Sequence, residues 1–208
     1  DNDPSNADIY GNLYNWIVAS DDRGVCPEGW HVPSDEEFME LEIFLGMSEE
    51  EANINGMIGT NEGSKLAGNA DLWDNGDLEN NSQFGTSSFN ALGIGYRGSG
   101  WDMFGRRTYF WTSSGWGLGN TDNPAWSWGL RNDDSKIIHN GNGASAGFSV
   151  RCLETIEGCT DSLAINDTYD PLANMNDGSC EYPEPADYSL QFDGDDYVRV
   201  FDVEGLNP

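Results

Sequence analysis

The densest set of oxygen ligands lies between Cys159 and Cys180, where Asp161, Asn166, Asp167, Asp170, Asn174, Asn176 and Asp177 crowd into a stretch with little core of its own. Calcium takes roughly six to eight oxygens from carboxylates, amides and carbonyls. It is therefore the cofactor this segment suggests, with Asp161, Asn166, Asp170, Asn174, Asn176 and Asp177 as candidate ligands. The spacing is not that of an EF-hand, because the residue five positions before Gly178 is Ala173, where that loop needs Asp or Asn. A solvated acidic loop stapled by one disulfide accounts for the same residues equally well.

Groups suited to covalent or acid–base catalysis are few. Cys26 with Cys152 and Cys159 with Cys180 can be paired without crossing, and no CxxC motif occurs. Two disulfides in a secreted protein are expected on that basis, four reduced thiols in the cytosol being the alternative. Oxidised in this way, neither Cys26 nor Cys152 is available as a nucleophile. Of the two histidines, His139 and His31, the second precedes a helix signal, and no Ser, Cys or paired carboxylate stands at a spacing that calls for it as a base. A hydrogen bond that fixes the loop is the reading His31 supports. The Ser113-Ser114 pair lacks a nucleophile-elbow context. The Gly93 to Gly98 run opens no helix, so it is not a phosphate loop. No enzyme is expected.

Binding is the other chemistry on offer. Trp101, Trp111, Trp116, Trp126 and Trp128 cluster in one half of the chain among Gly- and Asn-rich loops, and an exposed indole stacks on sugar faces or anchors a protein partner. Trp111, Trp126 and Trp128 fall in strand patterns that favour burial, which leaves Trp101 and Trp116 as candidate ligand contacts. Arg106 and Arg107, conspicuous where cations are scarce, join them, with local ion pairing the more conservative role. Asn132 and Asp133 complete the candidate binding set on the loops between Gly98 and Gly143.

Composition limits the partners. The chain has 208 residues, with 9 Lys and Arg against 37 Asp and Glu and a net charge of −28. A phosphate backbone or anionic membrane would be repelled at every approach. Disordered acidic chains lack aromatics, whereas this one carries 8 Trp, 8 Tyr and 9 Phe, so it is expected to fold. With 26 Gly and 8 Pro, short strands and loops are favoured over a helical bundle.

The elements that must position these groups follow from local patterns. Ser34-Asp-Glu-Glu37 is a capping box, and Phe38, Leu41 and Leu45 share one face of a helix from about Asp35 to Leu45, stopped by Gly46. Ser48 to Glu51 repeats the signature and predicts a weaker helix towards Met57. Ile9 to Val18 reads as a strand or turn, and Gly59 to Gly85 as irregular chain pinned by Leu66, Leu72, Trp73 and Phe84. Strands are predicted over Asn90–Tyr96, Arg107–Ser113, Ala125–Leu130, Ser135–His139 and Phe148–Leu153. Composition breaks at Glu154 to Glu157. Beyond the Cys159–Cys180 segment a Pro-rich linker at Tyr182 to Ala186 leads into two further predicted strands. Two strands cannot fold alone, so a longer parent chain is expected.

Taken in order, Tyr10-Gly-Asn-Leu-Tyr-Asn-Trp16, Cys26-Pro-Glu-Gly-Trp-His-Val-Pro-Ser-Asp-Glu-Glu37, Phe89-Asn-Ala-Leu92, Gly95-Tyr-Arg97, Tyr109-Phe-Trp-Thr-Ser113 and Ser149-Val-Arg-Cys152 resemble the Fibrobacter succinogenes major paralogous domain. The resemblance implies an α+β, C-type-lectin-like fold over residues 1–154, with one or two helices, short irregular antiparallel strands and a Cys26–Cys152 link from the domain's start to its last strand. It also brings in a relative with paired catalytic cysteines, the formylglycine-generating enzymes, which makes a divergent enzyme the second alternative. The Glu-Pro-Asn and Trp-Asn-Asp signatures of calcium-dependent sugar-binding lectins are absent. Residues 155–182 are similar to short acidic repeats between domains of bacterial surface proteins. Within 183–208, Leu190-Gln-Phe-Asp-Gly-Asp-Asp-Tyr-Val-Arg-Val200 looks like the opening of a laminin-G or concanavalin-like jelly roll. The expected function is non-catalytic adhesion or recognition at the cell exterior, with a glycan or protein partner and no membrane insertion. A structural unit of a self-associating surface filament is the first alternative.

Overall fold

The computed structural model describes residues 5–98, 101–115, 125–165 and 168–182, and the side chains of residues 5, 6, 101 and 102 are not described. The chain divides into two compact units, 1–155 and 156–208. The two strands predicted after Tyr188 lie outside the described residues.

The first unit is built on a four-stranded antiparallel sheet in the order Gly56–Ile58, Asp134–Asn142, Ala125–Arg131, Arg107–Gly115. Phe110 lies opposite Trp128, and Tyr109 opposite Gly129, which in turn faces Ile138. Because side chains alternate along a strand, Phe110, Trp128, Leu130 and Ile137 enter one apolar cluster, whereas Tyr109, Trp111 and Ile138 enter another. The sheet is covered on both faces. This is why Trp111 and Trp128 are buried in strands whose alternation predicts half-burial, while Trp126 is half-buried. Gly129 is required by the packing, since a Cβ there would sit 2.6 Å from the Tyr109 ring and 2.8 Å from the Thr108 carbonyl.

The predicted capping box forms, and the helix it starts spans Asp35–Phe44. Ser34 Oγ accepts from the Glu37 N–H at 3.1 Å, and Glu37 Oε2 accepts from the Ser34 N–H at 2.8 Å. The predicted apolar face packs on the core, and two acidic residues join it there. Asp35, Phe38 and Glu42 are buried, while Leu41 and Leu45 are half-buried against the same cluster. Residues spaced by three and four share a helical face, and Phe38 turns Asp35 and Glu42 inward with it.

Other elements depart from expectation for local reasons. The second helix stops at Ala52, because Gly56–Ile58 pairs with Ile137 to His139 instead of continuing it. Ile9 to Val18 is not a strand: helices occupy Ser5–Tyr10 and Trp16–Ala19, the second capped by Asn15, whose Oδ1 accepts from the Val18 N–H at 3.0 Å. Gly59 to Gly85 is more regular than its composition suggests, holding short helices at Glu62–Leu66, Ala70–Leu72 and Asp77–Asn80. The predicted Asn90–Tyr96 strand is reduced to Tyr96–Arg97, and Asn90 has a left-handed φ of 57° that breaks an extended run. The Phe148–Leu153 strand shrinks to Leu153–Glu154, which pairs with Trp30–His31, beside the Cys26–Cys152 disulfide.

In the second unit, Glu157–Gly158 pairs in parallel with Met175–Asn176, and Cys159 is bonded to Cys180.

Candidate functional site

His31 is fully engaged where the first unit closes. Its Nε2 lies 2.9 Å from Glu37 Oε1 and its Nδ1 2.8 Å from Thr155 Oγ1. Glu37 thus holds both the helix N-terminus and the imidazole, and His31 links the loop before the helix to the chain after the last strand. The other histidine is interior: His139 Nε2 lies 3.0 Å from Asp35 Oδ1, Nδ1 faces the Ile54 carbonyl at 3.3 Å, and Trp126 packs on the ring.

Four of the six expected ligand contacts are tied to their neighbours. Arg106 Nε donates to Asp74 Oδ2 at 3.0 Å, and Arg107 donates to the Tyr109 hydroxyl at 3.2 Å. Asn132 donates to the Asp74 carbonyl at 3.3 Å, and Asp133 is ion-paired with Arg131. The guanidinium of Arg131 holds the Asp133 carboxyl below the usual carboxylate range. Arg106, Asn132 and Asp74 do converge, but on one another. Trp101 lies in a short strand with Asp102 that pairs with Tyr96–Arg97, and Trp116 lies outside the described residues.

A cleft of about 390 Å³ opens elsewhere in the first unit, lined among others by Tyr10, Asn12, Tyr14, Thr108, Phe110 and Arg151. Sequence reasoning assigned none of these a role. Its walls come from four separate segments, around residues 9–14, 92–94, 108–110 and 149–151. Tyr14 is held by reciprocal backbone bonds with Phe148 at 2.8 and 2.9 Å, and its carbonyl accepts from Trp111 Nε1 at 2.8 Å. The Ser149 segment is held to the Arg107–Gly115 strand by Ser149 N–H to the Tyr109 carbonyl and Trp111 N–H to the Ser149 carbonyl, both at 3.0 Å. Arg151 lies over Phe89 and Phe110, with its guanidinium carbon 5.1 and 5.7 Å from the ring centres, and donates to the Asn90 carbonyl at 2.9 Å. Burial pulls its pKa below the ordinary arginine value. It has no carboxylate partner among the described residues. Thr108 is fully buried, and its Oγ1 has no hydrogen-bond partner among the described residues. The one advance signal was Arg151 itself, a cation with no acidic residue beside it in the Ser149 to Cys152 motif.

The interior holds a second unusual group. Glu42 is fully buried, and neither carboxylate oxygen has a partner among the described residues. Burial first, and then the negative charges of Asp35, Glu62 and Glu51, push its carboxyl up to about 9.

The candidate calcium ligands are occupied with their own backbone. Asp161 Oδ1 accepts from the Leu163 N–H at 2.8 Å and its Oδ2 from the Tyr182 hydroxyl at 2.8 Å. Asp170 accepts from Leu172, Asn176 from Gly178, and Asp177 from Ser179, the local turns that Asp and Asn favour. Asn174 accepts from the Ile156 N–H across the module, and Asn166 lies outside the described residues. Among the described residues, no three His, Cys, Asp or Glu side chains are placed to share a metal ion.

The first unit is thus a mixed α+β domain closed by a disulfide and carrying a ligand-sized cleft. Residues 1–154 match the family model described as the Fibrobacter succinogenes major domain, and the chain belongs to that family. Comparison with curated proteins and with solved structures found no match. Both disulfides are compatible with an extracellular or secreted protein, and no helix among the described residues is long and apolar enough to cross a membrane.

Proposed function

We propose that this chain is a non-catalytic recognition module of a larger surface or secreted protein, with a C-type-lectin-like first domain, and that its ligand seat is the cleft at Arg151. The cleft carries the reading. It combines aromatic lining, hydrogen-bonding side chains, a buried hydroxyl without a partner and a guanidinium with donors to spare, the mixture of apolar walls and few polar groups typical of ligand sites. On the loop face, Arg106 and Asn132 are both turned onto Asp74. A non-catalytic role is supported by the engagement of Cys26 and Cys152 in a disulfide and of both histidines in structural hydrogen bonds. The second unit serves as a disulfide-stapled spacer.

Screening the whole chain on glycan and surface-protein arrays tests this. Binding should be lost when the exposed Asn12 at the cleft is enlarged in Asn12→Trp and kept in Arg106→Ala. Loss in Arg106→Ala or Trp101→Ala with Asn12→Trp unaffected would move the ligand to the loops between Gly98 and Gly143. An array without binding, together with end-to-end association of the chain, would replace recognition by the filament role.

A further inference from the structure

The geometry points to a sugar acid as the ligand of this cleft: a hydroxylated ring bearing a single carboxylate, with the carboxylate on Arg151. The inference rests on the cleft being the ligand seat. A guanidinium has five N–H donors and binds carboxylates through a planar fork. The structure places one bond from Arg151 on the Asn90 carbonyl, which leaves donors for a ligand. The ring faces of Phe89 and Phe110 fix the plane of the guanidinium, and the neighbouring Cys152 disulfide fixes its backbone. The fork is therefore positioned before any ligand arrives.

The rest of the lining selects the body of the ligand. Tyr10, Asn12 and Tyr14 offer donors and acceptors suited to ring hydroxyls, and the aromatic rings suit the C–H face of a sugar. Charge selects the number of carboxylates. One guanidinium in a chain of net charge −28 balances one negative charge, whereas a polyanion or a phosphate dianion meets repulsion on every side. A peptide C-terminus shares the carboxylate but has no row of hydroxyls for this lining.

Amide NMR titration of the whole chain with methyl β-D-glucuronide, methyl β-D-glucoside and a short peptide with a free C-terminus tests the assignment. The glucuronide should give saturable shifts at Thr108, Arg151 and residues 9–14, with at least tenfold weaker binding of the glucoside. Arg151→Gln should bring the glucuronide down to the glucoside's affinity, and Arg151→Lys, which keeps the charge without the fork, should fall between them. A thermal melt of each variant separates lost binding from lost folding, with Arg151→Lys deciding if Arg151→Gln does not fold. Equal binding of both glycosides in the cleft would overturn the acid and leave the cleft as a seat. Tighter binding of the peptide there would overturn the sugar, shifts mapping elsewhere would overturn the cleft, and no saturable shift with any probe would overturn the assignment.

Discussion

Glu42 should make this protein less stable as pH rises through neutrality, and replacing it should remove that dependence. Its carboxyl is pushed up to about 9 from an ordinary 4.5, by burial and by the charges of Asp35, Glu62 and Glu51. The folded state therefore holds a proton that the unfolded chain releases above pH 4.5. With folded affinity for the proton raised, the stabilisation is complete below the unfolded pKa and is lost as pH climbs to the folded one. The loss is about 1.4 kcal/mol per pH unit. It amounts to about 3 kcal/mol by pH 7 and about 6 kcal/mol once Glu42 ionises. Glu42→Met removes the titration and keeps the volume, and it also removes two buried oxygens that lack partners. Urea denaturation of both proteins from pH 5 to 9 gives the difference directly, because most of the other carboxylates cancel. The gap in favour of Glu42→Met should widen steadily from pH 5 to about 9. Parallel curves would show that Glu42 is ionised or solvated in the folded protein.

Three further perturbations follow from the packing. Replacing Cys26 and Cys152 together by Ser opens a crosslink spanning 126 residues and should cost about 5 kcal/mol on the chain-entropy account, read from the urea midpoint. Gly129→Ala presses a methyl group against the Tyr109 ring and the Thr108 carbonyl and should cost about 1–3 kcal/mol, with the melting temperature as readout. Sodium chloride should raise the melting temperature as the screening length falls from about 30 Å at 0.01 M to about 8 Å at 0.15 M, because the chain repels itself at −28. Calcium chloride at equal ionic strength should add nothing further if the oxygens of the second unit stay with their turns, and extra stabilisation with heat of binding would show a calcium site.

What was legible in the sequence was mostly local. The capping box at Ser34 and Glu37 lies within one helical turn, and its residues specify both bonds without help from the rest of the chain. The burial of Asp35 and Glu42 on the same face as Phe38, Leu41 and Leu45 was hidden, because acidic side chains read as solvated. Among the loop candidates, the conservative role for Arg106, pairing with a nearby carboxylate, is the one seen with Asp74. The cleft was not legible, since Tyr10, Thr108 and Arg151 meet only through the bonds joining Tyr14 to Phe148 and Ser149 to Tyr109. Such non-local pairings leave no periodicity to read.

The state of Arg151 is the part of the fold that packing alone explains least. In a chain with about four acidic residues for every basic one, a guanidinium has abundant carboxylates to choose from, and Arg23, Arg106 and Arg131 each hold one. Arg151 instead stands on two rings and a carbonyl. A cation over an aromatic face recovers only about 0.5–2 kcal/mol, and burying charge without an opposite charge is costly unless hydrogen bonds compensate. A guanidinium that lacks an opposite charge at the edge of a cleft weakens the domain by itself and strengthens a complex that supplies one. In the assignment proposed above a ligand carboxylate on Arg151 supplies that charge, so the geometry that lowers stability is the one that would select an acidic sugar over a neutral one.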